Sequence, residues 1–244
     1  MNAEALDVER QETHFQCPDG FHMRALVLAP KTGADLPGLL FVAEPFGLNN
    51  EIQRVAREIA SNGYVVMLPD LMSRGPWFSC VRALMGDLRR ERGRGVDDLL
   101  AARVWLAGQR GVDPSRMAVI GLCMGGGFAL ILSKTGLFQV AAPFYGQTPH
   151  SLDGACPIVA SYGARDRIVR EHAEHLRQEV ERLDIPHDIK TYEGAGHSFM
   201  TRAPNRLMAV IGPLTPARAG YEPNAASDAT RRVVKFLRQH LVLK

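Results

Sequence analysis

One short stretch of the 244-residue chain sets a reactive group among residues too small to crowd it: Val119-Ile-Gly-Leu-Cys-Met-Gly-Gly-Gly127. A thiol that only fills core space does not need glycine two positions before it and two positions after it. A thiol lifted onto a sharp turn between a strand and a helix does, because those neighbours pass close beneath it. Gly121-x-Cys123-x-Gly125 therefore has the form of a nucleophile elbow. The helix that follows would aim its N-terminus at Cys123, and the partial positive charge there favours thiolate. The backbone N–H of Met124 would face a developing oxyanion. Other glycine-rich chemistry fits worse. A P-loop needs Gly-Lys-Ser/Thr, and no lysine follows. A dinucleotide fingerprint needs glycine where Cys123 stands.

Partners for such a thiol lie downstream. Asp166 closes Tyr162-Gly-Ala-Arg-Asp166, and His197 closes Glu193-Gly-Ala-Gly-His197. Each follows a strand-like run, so the chain presents nucleophile, acid and histidine in that order at successive strand ends. The expected triad is Cys123–His197–Asp166. Asp153, in a loop, is a weaker rival for the acid, and Arg165 and Arg167 flank Asp166 where they could compete for its charge. Glu44 ends a buried apolar run beside the predicted site, a place a structural glutamate seldom occupies.

The elements that must position these groups are visible in the periodicity. Residues 13–30 read as a β-hairpin with Asp19-Gly20 at its turn. Residues 37–43, 64–68, 117–121, 140–145, 157–162 and 187–192 read as strands, most of them apolar throughout, as strands covered on both faces are. Residues 49–61, 96–106, 124–133, 169–183 and 228–241 read as helices. Asn49 or Asn50 is placed to cap the first, and Asn62-Gly63 to end it. The alternation predicts one α/β domain over 1–244: a mainly parallel sheet with helices on both faces and an antiparallel hairpin at one edge. Two segments, 72–95 and 203–226, are rich in arginine, glycine or proline and read as long surface excursions.

These motifs together resemble the dienelactone hydrolase family, the cysteine branch of the α/β-hydrolase fold. The resemblance rests on Glu44-x-Phe46-Gly47-Leu48-Asn49, Gly63-Tyr64 with Pro69-Asp70-Leu71, and Gly121-x-Cys123-x-Gly125-Gly126. It extends to Phe144-Tyr145-Gly146, Gly163-x-x-Asp166 and Gly196-His197-Ser198-Phe199, and so to nearly the whole chain. It implies hydrolysis of an enol-lactone or related ester, carboxylate-bearing ones included, without metal or cofactor. It implies that Glu44 engages the resting thiol and helps generate thiolate. It places Tyr145 and Phe199 at the substrate. The family's second oxyanion N–H falls here on Pro45, which has none, so Phe46 is the expected replacement. The family's carboxylate-binding arginine four residues after the histidine is Thr201 here, with Arg202 next to it. Arg82 is the expected second arginine, with Arg74 in reserve. Residues 208–219 have no evident counterpart and are expected to reshape the pocket mouth.

Composition narrows the field. With 29 basic and 26 acidic residues the net charge is +3, which argues for neither nucleic acid nor a membrane surface. The N-terminal sequence has no apolar signal-like core and no run approaches a bilayer span, so a cytoplasmic location is the expectation. Four widely spaced cysteines and no CxxC pair read as reduced thiols. Glu171-His-Ala-Glu-His175 has metal-ligand residue types on what should be a polar helix face, and no third ligand accompanies it, so no metal is expected. A small-molecule lactone or ester is the expected partner, for a monomer or small homo-oligomer. A generalist esterase or thioesterase on the same triad stays open, as does a degenerate hydrolase that binds ligand or senses redox state through Cys123.

Overall fold

The computed structural model describes residues 6–203 and 205–241. Eight strands form one sheet: β1 (Val8–Gln16), β2 (His22–Pro30), β3 (Leu36–Val42), β4 (Val65–Pro69), β5 (Val112–Leu122), β6 (Val140–Phe144), β7 (Ile158–Gly163) and β8 (His187–Tyr192). The order is β1-β2-β4-β3-β5-β6-β7-β8. β1, β2 and β4 pair antiparallel, and every pairing from β4 through β8 is parallel. The central strands β3 to β7 bury almost every residue, so both of their faces are covered. This is the mainly parallel sheet with an antiparallel edge hairpin that the periodicity predicts.

Seven helices among the described residues complete the layers: α1 (Asn50–Ala60), α2 (Trp77–Arg90), α3 (Arg94–Ala107), α4 (Met124–Ser133), α5 (Arg170–Arg182), α6 (Arg206–Ile211) and α7 (Pro223–His240). Local chemistry sets their starts. The Asn49 side chain accepts from the N–H groups of Glu51 and Ile52 at 2.9 and 3.1 Å and caps α1. Glu222 does the same for α7 through Asn224 and Ala225, ahead of Pro223 in the first turn.

Several boundaries differ from the sequence reading. Segment 72–95 is not a loop: it holds a 3₁₀ turn (Leu71–Arg74), all of α2 and the start of α3. The buried side of α2 is Cys80, Leu84, Asp87 and Leu88, a helical stripe obscured by arginines on the opposite face. Glu91 in left-handed conformation ends α2 and lets α3 begin three residues on. Segment 203–226 likewise contains α6 and the first turn of α7, which starts at Pro223 rather than 228. β1 begins at Val8 rather than 13, because an edge strand with most side chains exposed carries little apolar alternation.

Candidate active site

The turn after β5 has the conformation the glycines suggested. Cys123 has φ 56° and ψ −116°, which an L-residue adopts only where the surroundings hold it there. Its N–H donates to the Phe144 carbonyl at 3.0 Å, anchoring the turn to the end of β6. The glycines are steric necessities. A Cβ on Gly121 would overlap the carbonyl of Gly125, and one on Gly125 would overlap the carbonyl of Val42 on β3. Met124 is the first residue of α4, so its N–H has no intrahelical acceptor and remains available beside the sulfur.

Asp166 and His197 come from the loops after β7 and β8. The buried Asp166 carboxylate lies 2.5 Å from His197 Nδ1 through Oδ2, and its Oδ1 accepts from the Ile168 N–H at 2.9 Å. Neither Arg165 nor Arg167 pairs with it. The rival Asp153 turns to Ser151 Oγ at 2.6 Å and to Arg182 at 3.1 Å instead. Cys123 acts on the same imidazole through hydrogen bonding and charge. Burial disfavours the imidazolium, but the hydrogen bonds to Asp166 and Cys123 and the charges of both outweigh it and raise the His197 pKa to about 10. Backbone bonds fix the histidine loop: the His197 N–H donates to Ala217 O at 2.8 Å, and its carbonyl accepts from Gly220 at 3.0 Å.

Glu44 is buried at the end of β3. Oε1 accepts from the Tyr145 hydroxyl at 3.1 Å, and Thr201 Oγ1 donates to the same carboxylate at 3.3 Å. Burial raises its pKa, against the charge of His197 and the hydroxyls of Tyr145, Thr201 and Ser198, which lower it. No hydrogen bond joins Glu44 to Cys123 among the described residues. Tyr145 has a positive φ of 40° and its ring packs 4.8 Å from His197 and 5.2 Å from Phe199. Its phenol is held neutral: burial, then the charges of Glu44 and Cys123, push its pKa well above 10. Tyr145 and Phe199 are thus brought to the site as a buried wall behind its carboxylate and imidazole. Sequence reading did not find Thr201 or Ser198 as partners of Glu44; no local pattern announces a contact spanning 157 positions.

The loop after Glu44 is a tight turn, closed by the Gly47 N–H on Glu44 O at 3.1 Å with Gly47 at φ 69°. Pro45 offers only its carbonyl, which accepts from Trp77 Nε1 at 2.7 Å, so α2 pins this loop in place. Phe46 is half exposed and lines a cavity of about 60 Å³ with Glu44, Thr201, Arg202, Met208 and Gly212. Met208, Gly212 and Ala219 of the 208–219 segment line this cavity.

The arginines are less united. Arg202 reaches this cavity, yet its guanidinium bonds Glu51 at 3.0 Å and stacks over Tyr221 at 4.6 Å. Arg82 is exposed on α2 and does not line the same cavity. Arg74 is a structural residue, bonded to Asp98 at 2.5 Å and Asp19 at 2.8 Å. Cys17, Asp19 and Asp98 form the one grouping of metal-ligand types among the described residues, and Arg74 already bonds both carboxylates. His172 and His175 engage the Thr148 N–H and the Pro149 carbonyl.

A profile of the dienelactone hydrolase family matches residues 23–241. The chain belongs to the dienelactone hydrolase family. With that family comes the enzyme class, a carboxylic-ester hydrolase. A carboxymethylenebutenolidase of Rhodococcus opacus is 27% identical over 224 residues, covering 84% of this chain and 82% of its own. A Bradyrhizobium relative named "probable 2-oxo-3-(5-oxofuran-2-ylidene)propanoate lactonase" is 25% identical, with 89% of each chain covered. Among solved structures, a dienelactone hydrolase-like promiscuous phosphotriesterase from metagenomic libraries superposes with a TM-score of 0.80 at 22% identity, over 97% of this chain and 99% of its own. That likeness establishes the α/β-hydrolase fold for this dienelactone hydrolase family member. No helix among the described residues is long and apolar enough to cross a membrane.

Proposed function

We propose that the chain hydrolyses an enol-lactone or a related ester through an acyl-enzyme on Cys123. One juxtaposition carries this reading. A cysteine with positive φ at a helix N-terminus acts on a histidine whose Nδ1 lies 2.5 Å from a buried aspartate. The names of the two relatives, a butenolidase and a lactonase, support the substrate class.

The chemistry follows from the positions. Cys123 attacks as thiolate, paired with the imidazolium of His197. Its sulfur bonds the carbonyl carbon, and the Met124 N–H, with the Phe46 N–H as second donor, holds the oxyanion. Collapse breaks the acyl C–O bond. The ring oxygen leaves as an enolate, takes the imidazolium proton and tautomerises to a ketone. An enolate is a good leaving group, which suits a thiolate nucleophile. Water then attacks the thioester, giving one proton to His197. The C–S bond breaks, the thiolate–imidazolium pair is restored and the acid departs. Asp166 keeps the ring oriented throughout.

Steady-state hydrolysis of dienelactone and p-nitrophenyl acetate by the wild-type chain and by Cys123→Ala tests the reading. The variant should lose at least about 10³-fold in kcat/KM on both, as loss of a nucleophile in a coupled triad does. The lactone should be the better substrate of the wild type. Unchanged turnover by Cys123→Ala would overturn the assignment.

A further inference from the structure

The loops that hold Asp166 and His197 also flank an open cavity of about 640 Å³, which meets the small one over Glu44 only at Gly220. Four arginines line it: Arg165, Arg167, Arg170 and Arg218. All four are exposed, and none forms a salt bridge among the described residues. Arg170 and Arg218 reach only backbone carbonyls, of Ala164 at 3.3 Å and Pro213 at 2.9 Å. The one carboxylate on the wall, Glu222, is occupied in capping α7. Four positive charges gathered in a concave wall against one carboxylate focus a field that draws anions.

The backbone holds this arrangement in place. The Arg165 N–H donates to Ala195 O at 2.9 Å, and the Arg167 N–H to Pro216 O at 3.1 Å. Arg218 has a positive φ of 48°, unusual for a residue with a side chain. Its N–H donates to Thr215 O at 2.9 Å, and its carbonyl fills the space a Cβ on Gly196 would need. Three loops are thereby locked together, and every cation on them lies within a few residues of Asp166, His197 or the segment bonded to His197.

We propose that this cavity binds a small polyanion of phosphate chemistry with two or more adjacent charged groups. Four guanidinium forks match phosphate oxygens bidentately, which isolated point charges do not. The volume suits a metabolite-sized ligand. Two sources share this chemistry: the phosphorylated tail of a substrate whose acyl end reaches Cys123, or a free effector acting through the His197 loop.

Inorganic pyrophosphate, titrated calorimetrically into the full chain at constant ionic strength, is the probe. Wild type should bind it saturably. Arg165→Gln/Arg167→Gln should bind at least about tenfold more weakly, the loss expected for two charge-assisted contacts. Arg110→Gln, an exposed arginine in the connection between α3 and β5, should bind as wild type does. The absence of saturable binding by wild type, or equal weakening in Arg110→Gln, overturns the proposal. The wild-type titration decides even where the double variant does not fold. Hydrolysis of p-nitrophenyl acetate with pyrophosphate present separates the sources. Because that ester has no anionic tail, unchanged kcat and KM at saturating pyrophosphate mark the cavity as the subsite for a substrate's own tail, and a change in kcat marks an effector.

Discussion

Glu44 keeps a carboxyl group in the interior, hydrogen-bonded by the hydroxyls of Tyr145 and Thr201. Its pKa is raised on folding, from an ordinary value of 4.5. Between that value and the folded one, the folded protein retains a proton that the unfolded chain has released. Stability therefore falls as pH rises through this window. Glu44→Gln removes the titration while preserving shape. Its melting temperature should match wild type near pH 4 and exceed it by a growing margin above about pH 4.5. Thermal denaturation across pH checks this, and a margin independent of pH would contradict it. At this scale the residue types were legible: thiol, acid and histidine stand in order at strand ends, and Glu44 closes an apolar run. The supporting hydroxyls of Tyr145, Ser198 and Thr201 were not legible, because tertiary packing alone brings them to Glu44. The fate of the arginines was equally hidden. Nothing in the sequence distinguishes Arg74, consumed by Asp98 and Asp19, from an arginine free to meet substrate.

The elements show why the elbow sequence has so little freedom. α4 starts so close to β3 and β5 that its first turn runs over bare backbone, and Gly125 meets the Val42 carbonyl. Gly125→Ala should cost about 3 kcal/mol or more, since the atoms it meets are backbone and cannot swing aside. Chemical denaturation measures the loss, and a cost below about 1 kcal/mol would show that the turn can relax. The same steric logic made β5 and α4 readable from sequence. α2 was not readable, because its apolar stripe is narrow and its other face carries arginines. Yet α2 contributes to the site through Trp77, whose indole holds the Pro45 carbonyl. Arg74, in the 3₁₀ turn before α2, ties that region to α3 through a largely buried pair with Asp98. Arg74→Ala should destabilise the fold by about 3–5 kcal/mol, the cost of stranding a buried carboxylate. The KM of the folded fraction for p-nitrophenyl acetate should stay unchanged; a rise in KM without loss of stability would return Arg74 to the substrate.

Across the whole molecule, the parallel strands β3, β5, β7 and β8 all end at one edge of the sheet, delivering Glu44, Cys123, Asp166 and His197 to a common place. That convergence was legible because strand alternation fixes direction, and direction fixes which loops meet. The cationic cavity was not, since its arginines come from two distant segments, 165–170 and the loop before α7, whose proximity depends on backbone bonds between loops. The sheet brings the groups together; the reaction assigned to them requires a covalent bond to one sulfur. Rapid quenching of the chain with p-nitrophenyl acetate, followed by intact mass spectrometry and peptide mapping, looks for that bond directly. An added acetyl group should appear transiently on Cys123 and be absent in Cys123→Ala. Turnover with no adduct on Cys123, or an adduct on another side chain, would contradict the account.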